Sequence, residues 1–443
     1  MNKRFRYFFL TIFYFSVMSL FSQKKWSLED CIEYAKQQNI EMVKQKIRVE
    51  ILNSDIKIAK GNYLPNANFN ASQNFSFGNS FNVSTGVGQL ESSSNSFSLT
   101  SSLNIFNGFK NKYILQKSNL SKEKYEADIE KIRFDLALNI TNKYLQVLFN
   151  KEILKVAEEQ IEISKKNHNR LKKLYNNALI GKRELLEIES TLASDIKERV
   201  IAEKNRKNSL IELQELLGAK QFEDFDIEEI DHTSLVKGKI TEEVIENNPE
   251  ISSSKLDVEL KNKKIQLLKT NFYPKVHLNY SYSSNYFHIL GKDDVVFNQQ
   301  TNKNEANGFW KQLNNNRTHF ISVIATIPIF NRFLIKEKYK KAREELKISE
   351  MELESDKQIL RNKIRIGINE VYASKASLKS CKIAMNAQNQ VFEIVQNQYK
   401  NGNVGSHEFL ESKGKYIKST SAYIKAKYEY YFKSKVLIYY FKQ

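Results

Sequence analysis

The side chains of this sequence whose spacing suits a shared chemical task are acidic, and they suit cation binding better than catalysis. Glu408 and Glu411 lie three residues apart in a stretch predicted to be helical, so both carboxylates share one helix face. Glu184 and Glu187 occupy the matching positions in the first half of the chain. Clustered carboxylates repel one another and attract cations. The same pattern is typical of a solvated helix face, because glutamate is frequent throughout the chain, and both interpretations stay open.

The sequence lacks the groups of residues from which enzymes build active sites. Its six histidines are scattered, and no cysteine or histidine cluster has the spacing of a metal site. No glycine-rich phosphate loop appears. His168 lies on an apolar helical stripe, where a packing histidine is expected rather than a ligand. We therefore expect no catalysis, no cofactor and no metal.

The first 22 residues have the features of a secretory signal peptide. Lys3, Arg4 and Arg6 form a basic start, and an apolar run follows from Tyr7 to Phe21. A retained anchor is the alternative, although the run is short of the roughly 20 apolar residues that a spanning helix needs. No later stretch is long and apolar enough to span a bilayer as a helix. If the mature chain enters a membrane, it must do so as β-strands.

The charge and the cysteines narrow the class of protein further. The net charge is +18, but basic and acidic residues alternate along helical stretches, as in Lys122–Lys124. This interleaving is typical of a solvated helix surface, and export from the cytoplasm argues against nucleic acid as a partner. Cys31 and Cys381 are the only cysteines, so no disulfide framework supports the fold. Two such isolated cysteines are expected to be unpaired, although pairing stays open.

An internal duplication organises the chain. Asn39–Glu41 resembles Asn248–Glu250 at an offset of 209 residues, and Ile105–Phe109 resembles Ile329–Phe333 at an offset of 224. The change of offset indicates an insertion of 15 residues within the Asn-rich segment 290–317. An ordered series of matches with preserved spacing is not expected by chance.

Three parts follow from the duplication: the signal peptide, a first repeat over 23–233 and a second repeat over 234–443. Each repeat has a helical lead-in, two alternating segments separated by a polar loop, and a long helical hairpin. The lead-ins cover about 28–60 and 241–270. The loop at about 290–317 is predicted to be extracellular, and all four prolines lie outside the long helices.

The alternating segments have the length of transmembrane β-strands. Each is about ten residues long, with apolar side chains on one face and Ser or Asn on the other. The segments begin near Ala67, Ser96, Val276 and Ile321; Phe320 and Ile324 interrupt the polar face of the fourth. A soluble sheet with one buried face is the alternative, but the near absence of charge favours a membrane. Four strands cannot close a barrel, which needs about eight, so the chain must oligomerise.

The helices are longer than a compact domain requires. From Phe109 to Tyr175 there is no proline, and apolar positions recur at helical spacing. A heptad stripe ends this stretch, formed by Val147, Leu154, Ile161, His168 and Tyr175. At 1.5 Å per residue this predicts about 100 Å of helix, which suits a spacer across the periplasm.

These features together resemble the TolC family of outer-membrane export ducts, over essentially the whole mature chain. The residues that carry the resemblance are Asn248–Ile251, Pro65, Pro274, Ile105–Gly108 and Tyr399–Gly402. The resemblance implies a mostly helical fold with β-structure, in which a trimer combines a barrel of long helical hairpins with a 12-stranded transmembrane barrel. It implies a homotrimer in the cell outer membrane, with its helices in the periplasm. It also implies a periplasmic adaptor and an inner-membrane pump as partners.

The resemblance also suggests roles for individual residues. It implies that the periplasmic aperture is controlled by Glu408, Glu411, Glu184, Glu187, Tyr175 and Tyr399. It implies that the adaptor contacts the hairpin tips at Ala178, Leu179, Gly402 and Asn403. The sequence departs from the family at Ala178, where a tip glycine is usual, and at Gly181 and Gly405, where a capping Ser or Thr is usual.

The expected function is therefore the outer-membrane channel of a tripartite efflux or type I secretion system. A structural or adhesive coiled-coil surface protein is an alternative that explains the heptads but not the recurring strand pairs. A passive porin explains the strands but not the long helices. The exported substrate stays open, with drugs, metals and proteins all compatible with the sequence.

Overall fold

The computed structural model describes most of the chain. The ranges it describes are 25–82, 86–89, 91–218, 225–230 and 241–441. The predicted signal peptide, residues 1–22, lies outside these described residues and stays a prediction.

The described elements follow the same order in each half of the chain. The first half contains α1 (Leu28–Gln38), α2 (Ile40–Gly61), β1 (Asn66–Ser76), β2 (Asn79–Asn82), β3 (Gly86–Gln89), β4 (Ser92–Phe106), α3 (Lys110–Asn176) and α4 (Lys182–Leu217). The second half contains α5 (Glu242–Glu246), α6 (Pro249–Lys269), β5 (Lys275–Ile289), β6 (Val295–Asn298), β7 (Lys303–Ala306), α7 (Phe309–Asn315), β8 (Thr318–Thr326), α8 (Leu334–Lys400) and α9 (Ser406–Phe441). The expected fold class, mostly helical with antiparallel β-structure, is confirmed.

Two helical hairpins of equal dimensions dominate the chain. Helices α3 and α8 have 67 residues each, and the return helices α4 and α9 have 36 each. A helix of that greater length extends about 100 Å. No helix within the described ranges combines the length and the apolar character needed to cross a membrane.

The described residues group into two compact units that differ from the two sequence repeats. One unit contains the segments up to Arg48, Glu126–Ser253 and from Glu354 onward. The other contains Val49–Tyr125 and Ser254–Leu353. The predicted repeat boundary at 233 and 234 lies outside the described residues, so the division into repeats stays a prediction.

A buried tyrosine joins separate chain segments within the first of these units. Trp26 and Ile227 form an isolated parallel bridge, and the Tyr144 hydroxyl lies 2.9 Å from the Trp26 carbonyl oxygen and 2.7 Å from that of Glu228. Burial raises the pKa of Tyr144. Cys31 is fully buried, and burial raises the pKa of its thiol to about 12. Its thiol is free, as is that of Cys381.

A four-stranded antiparallel sheet belongs to the second unit. Its strand order is β1-β4-β5-β8, so β1 and β8 are its outer strands. Strands β4 and β5 have 15 residues each, which is longer than the ten that the alternation predicted. The predicted polar loops contain short strand pairs, β2 with β3 in the first half and β6 with β7 in the second.

The strand register separates a polar face from an apolar face. On the polar face, Asn68 lies opposite Thr100, and Thr100 opposite Ser281. On the apolar face, Phe69 lies opposite Leu99, and Leu99 opposite Tyr282. Phe320 pairs with Ser281 and is the predicted exception on the polar face. The alternation therefore produces two chemically distinct surfaces across all four strands.

The turn from strand to long helix has a left-handed backbone in both halves. Gly108 and Phe109 have φ values of 65° and 66°, and Arg332 and Phe333 have 54° and 64°. A Cβ atom on Gly108 would lie 2.7 Å from the Thr270 carbonyl oxygen. Glycine is therefore required in the first turn for both space and conformation, whereas Arg332 adopts a conformation that costs an L-residue about 1–2 kcal/mol.

This pair of turns predicts opposite effects of two substitutions. Gly108→Ala should destabilise the protein by about 2 kcal/mol, because the added methyl group collides with backbone at a left-handed position. Arg332→Gly should be neutral or stabilise it by less than about 1 kcal/mol, because the released strain exceeds the added chain entropy. Thermal unfolding of the detergent-purified variants tests both effects. Equal unfolding temperatures for the two variants would contradict this difference between the two turns.

Candidate functional site

The two helical hairpins turn through the same backbone motif at their tips. The Leu179 N–H donates to the Leu174 carbonyl at 2.9 Å, and the Asn403 N–H donates to that of Gln398 at 2.9 Å. This six-residue closure is the Schellman motif, which requires a left-handed residue before the donor. Gly402 supplies it with φ of 79°.

In the first tip the left-handed position is taken by Ala178, with φ of 58°. The tip residues predicted to contact an adaptor, Ala178, Leu179, Gly402 and Asn403, are all exposed. Leu179 is 68% exposed, which is a large exposed fraction for an apolar side chain. The two tips thus share a backbone but differ in chemistry, one apolar and one polar.

An aromatic cluster lies behind the second tip. The Tyr399 ring stacks on Phe409 with 4.5 Å between centroids, and Phe392 packs against Phe409 at 5.9 Å. An aliphatic cluster of Leu171, Leu185 and Ile188 lies behind the first tip. Leu410 packs against both clusters, so it connects the two hairpins.

Arg170 of α3 binds the end of α8. Its Nη1 donates to the carbonyl oxygens of Tyr399 at 2.9 Å and Lys400 at 2.8 Å. Its guanidinium also lies 4.5 Å from the centre of the Tyr399 ring. The last carbonyls of a helix lack intrahelical donors and carry partial negative charge, so a cation there is favourable. Arg170 therefore holds the end of α8 against α3.

Glu187 of α4 makes a second link between the hairpins. Its carboxylate accepts from the Ser406 hydroxyl at 2.6 Å and from Arg183 Nε at 2.9 Å. The hydrogen bond from Ser406 and that from Arg183 lower the pKa of Glu187. Because Ser406 is the first residue of α9, the ionised carboxylate ties α4 to the start of α9.

A buried ion pair makes the third link, about two to four turns from the helix ends at the tips. Lys413 Nζ donates to Asp195 Oδ2 at 2.5 Å and to Ser164 Oγ at 2.7 Å, and the Ser164 hydroxyl donates to the same Asp195 oxygen. The side chains of Lys413 and Asp195 are 4% and 14% exposed. Burial lowers the pKa of Lys413, and its hydrogen bond and attraction to Asp195 oppose that shift. Three helices, α3, α4 and α9, meet in this contact.

The predicted aperture residues occupy different environments. Glu408, Glu411 and Glu184 are exposed, and Glu411 pairs with Lys415 at 2.7 Å. A hydrogen bond from Lys415 lowers the pKa of Glu411. Of the four predicted acids, Glu187 is the one for which a hydrogen bond between hairpins is described.

The two predicted tyrosines also differ. Tyr399 is buried beneath Arg170, and burial raises its pKa. Tyr175 is 38% exposed at the end of α3. His168 is 18% exposed and lies 3.4 Å from Glu189, which suits its predicted position on a packing stripe.

Sequence reasoning missed Arg170, Lys413, Asp195 and Ser406. Two of them left a detectable signal. Lys413 continues an apolar stripe with Phe409 and Tyr416, and Asp195 lies midway between Ile188 and Ala202 at heptad spacing. A charged residue on a buried stripe indicates a partner on a facing helix.

A family model described as outer membrane efflux protein matches residues 31–219 and 240–437. These segments make up most of the chain and include both hairpins. The chain belongs to the outer membrane efflux protein family. It is accordingly an outer-membrane channel of efflux systems, as the sequence predicted.

Solved channel structures have the same fold as this efflux protein. CusC is 13% identical over 96% of this chain and 95% of its own, with a TM-score of 0.76. Campylobacter jejuni CmeC is 17% identical over 94% and 85%, with a TM-score of 0.76. Neisseria gonorrhoeae MtrE, in its open state, is 16% identical over 94% and 88%, with a TM-score of 0.74. No curated protein sequence matches the chain.

The buried ion pair of this efflux protein predicts non-additive substitutions. Asp195→Ala should destabilise the fold by about 3 kcal/mol, because it leaves the Lys413 ammonium buried without its counter-ion. The double variant Lys413→Met with Asp195→Leu should lose much less, because no buried charge remains. Thermal unfolding followed by circular dichroism measures both. A double variant as unstable as Asp195→Ala, or more so, would contradict this account.

Proposed function

We propose that three copies of the chain form one continuous export duct through the outer membrane and periplasm. The observation that carries the proposal is the pair of open edges on the four-stranded sheet. Unpaired strand groups have no water to bond with in a bilayer, so membrane strands need closed barrels. Four strands are too few for closure, since about eight is the minimum.

The order of the strands supports closure by identical copies. All neighbouring pairs in the order β1-β4-β5-β8 are antiparallel, so β1 and β8 run in opposite directions. The β8 edge of one copy therefore fits the β1 edge of the next as another antiparallel pair. Three copies would supply a closed ring of twelve strands, with the polar face lining water and the apolar face meeting lipid.

The links between the hairpins support a gate at the periplasmic end. Arg170, Glu187 and Lys413 each join one hairpin to the other. Any movement of α9 away from α4 must break the Glu187 and Lys413 contacts. Glu408 and Glu411 would then form the charged ring of the aperture, with Glu184 as their counterpart on α4.

The hairpin tips support a protein partner in the periplasm. Leu179 is largely exposed beside the left-handed Ala178, and Asn403 follows Gly402 at the other tip. A rigid turn that presents an exposed apolar side chain suits contact with another protein. The partner is a periplasmic adaptor, which connects this channel to an inner-membrane pump.

Purified protein in a planar bilayer tests the channel and its acidic gate together. Wild type should conduct ions, and divalent cations added on the periplasmic side should block the current. Glu408→Gln with Glu411→Gln should raise the blocking concentration about tenfold, equivalent to ~1.4 kcal/mol, because the cation ligands are removed. Single-channel recording gives both values.

Glu159 and Glu162 provide a matched control for this experiment. They are also exposed acids three residues apart, and Glu162 lies beside Lys165 at 3.5 Å. Their replacement by glutamine removes the same charge from α3 and should leave the block unchanged. Equal block in both double variants would show that Glu408 and Glu411 only coat a helix.

The contact between Glu187 and Ser406 predicts a response to acid. The pKa of Glu187 is lowered in the folded protein, so the contact is fully present above the ordinary pKa of about 4.3. It is lost as the pH falls through the lowered value. Channel opening should therefore increase below about pH 4, and Glu187→Gln should flatten this dependence. Glu184→Gln, one turn earlier, is the control; the same flattening there would contradict the role of Glu187.

A further inference from the structure

Strand β5 continues well beyond its outer neighbour. The pairing of β5 with β8 ends at Ser283 and Thr318, whereas its pairing with β4 continues to Ile289. The backbone of residues 284–289 therefore has a strand on one side alone. An exposed strand edge invites uncontrolled pairing with other chains.

Side chains from α7 and its C-terminal end cover this edge in place of a strand. Gln312 Oε1 accepts from the Phe287 N–H at 3.0 Å, and Gln312 Nε2 donates to the Phe287 carbonyl at 3.0 Å. Asn316 Nδ2 donates to the Asn285 carbonyl at 2.7 Å. The two amides thus reproduce part of a strand's hydrogen bonding, and α7 is held in a fixed position along β5.

Helix α7 also reaches over the apolar face of the sheet. Ser284 lies on that face opposite Phe97, and its hydroxyl donates to the Leu313 carbonyl at 2.6 Å. The Phe309 ring lies 6.4 Å from that of Phe97 and 5.0 Å from that of Tyr286, both on the same face. The helix therefore covers the surface that the proposed function assigns to lipid.

The segment that leads towards α7 is fixed to the same face. The Asp294 carboxylate accepts from the Tyr286 hydroxyl at 2.7 Å and lies 2.8 Å from His288 Nδ1. Tyr286 and His288 are both near the C-terminal end of β5, and both lie on its apolar face. The loop is consequently attached to the sheet at two places, at Asp294 and again along α7.

Trp310 lies on the exposed side of α7. Trp310 packs its ring 5.1 Å from Phe309 and remains 80% exposed. Beyond Phe97 the next positions of β4 on this face are polar, Asn95 and Ser93, and Gln73 lies opposite Asn95, whereas Phe75 lies opposite Ser93. Because Phe309 contacts Phe97 and Tyr286, Trp310 lies near the level at which β4 changes from apolar to polar on this face. Tryptophan is enriched at such boundaries, since its ring is apolar and its N–H needs water or headgroups.

We propose that α7 is a membrane-interface anchor that inserts Trp310, with Phe309 beneath it, between the headgroups and the acyl chains of the outer leaflet. The inference rests on the proposed function, because it requires the apolar face to meet lipid. Lipid is the occupant because the exposed ring continues the apolar face of the sheet. A neighbouring copy or the aqueous phase would be a different occupant and would give a different result below.

The chain has two tryptophans, which makes the test direct. Trp26→Phe leaves Trp310 as the single tryptophan and preserves an aromatic ring beside Tyr34 and Phe225. The full-length variant is reconstituted into phosphatidylcholine vesicles brominated either close to the headgroup or close to the chain end. Bromine quenches tryptophan fluorescence only at short range, so the more effective lipid reports the depth of the ring.

The proposal expects Trp310 to lose more fluorescence with bromine near the headgroup than with bromine near the chain end. Quenching by aqueous iodide alone would mean that the ring lies in water, and resistance to all quenchers would mean that protein covers it. Either result overturns the proposal. The matched control is Trp310→Phe, which leaves Trp26 and should show no lipid quenching.

Failure of this inference can be separated from failure of the proposed duct. The same vesicles are floated on a density gradient and assayed for ion conductance. A chain that floats and conducts, but whose Trp310 is not quenched by lipid, contradicts the anchor alone. A chain that neither floats nor conducts contradicts the duct on which the anchor rests.

Discussion

The backbone groups of a strand in lipid have no water to bond with, and the rest of this molecule depends on that constraint. The inner strands β4 and β5 have a neighbouring strand on both sides, whereas β1 and β8 each have one open edge. Where β5 extends beyond β8, the side-chain amides of Gln312 and Asn316 form hydrogen bonds with the β5 backbone instead. The chain thus treats its strand edges in two ways: side chains cover one short edge, and the long edges of β1 and β8 stay open, as the proposed closure by other copies requires.

The helical part depends on a different set of contacts, those between its two hairpins. Near the tips, Arg170, Glu187 and Lys413 each make a polar contact from one hairpin to the other, and Leu410 adds an apolar one. Polar contacts depend on geometry and charge, so they are lost over a small displacement. Such polar contacts suit the gate proposed above, and the aromatic packing around Phe409 holds the second hairpin together.

Periodicity in the sequence predicted the elements, and long-range pairing decided what it could not predict. The long helices and alternating strands were foreseen because their patterns are local. Helix α7 was not, since seven residues without a clear period carry too little pattern, and its position depends on Gln312 meeting Phe287. Arg170 was missed because its partners lie at the end of another helix. Lys413 occupies a position on an apolar stripe between Phe409 and Tyr416, and a charged residue at such a position indicates a buried partner.

The equal lengths of the hairpins restrict how this chain can evolve. Helices of 67 and 36 residues occur twice, and their tips close through the same motif. An insertion in one hairpin alone would shift its clusters and links out of register with the other, so changes in helix length have to arise in pairs. The unmatched insertion of 15 residues lies instead in the loop that carries α7. A change of length is therefore accommodated more easily in the loops, where one half of the chain can change without the other.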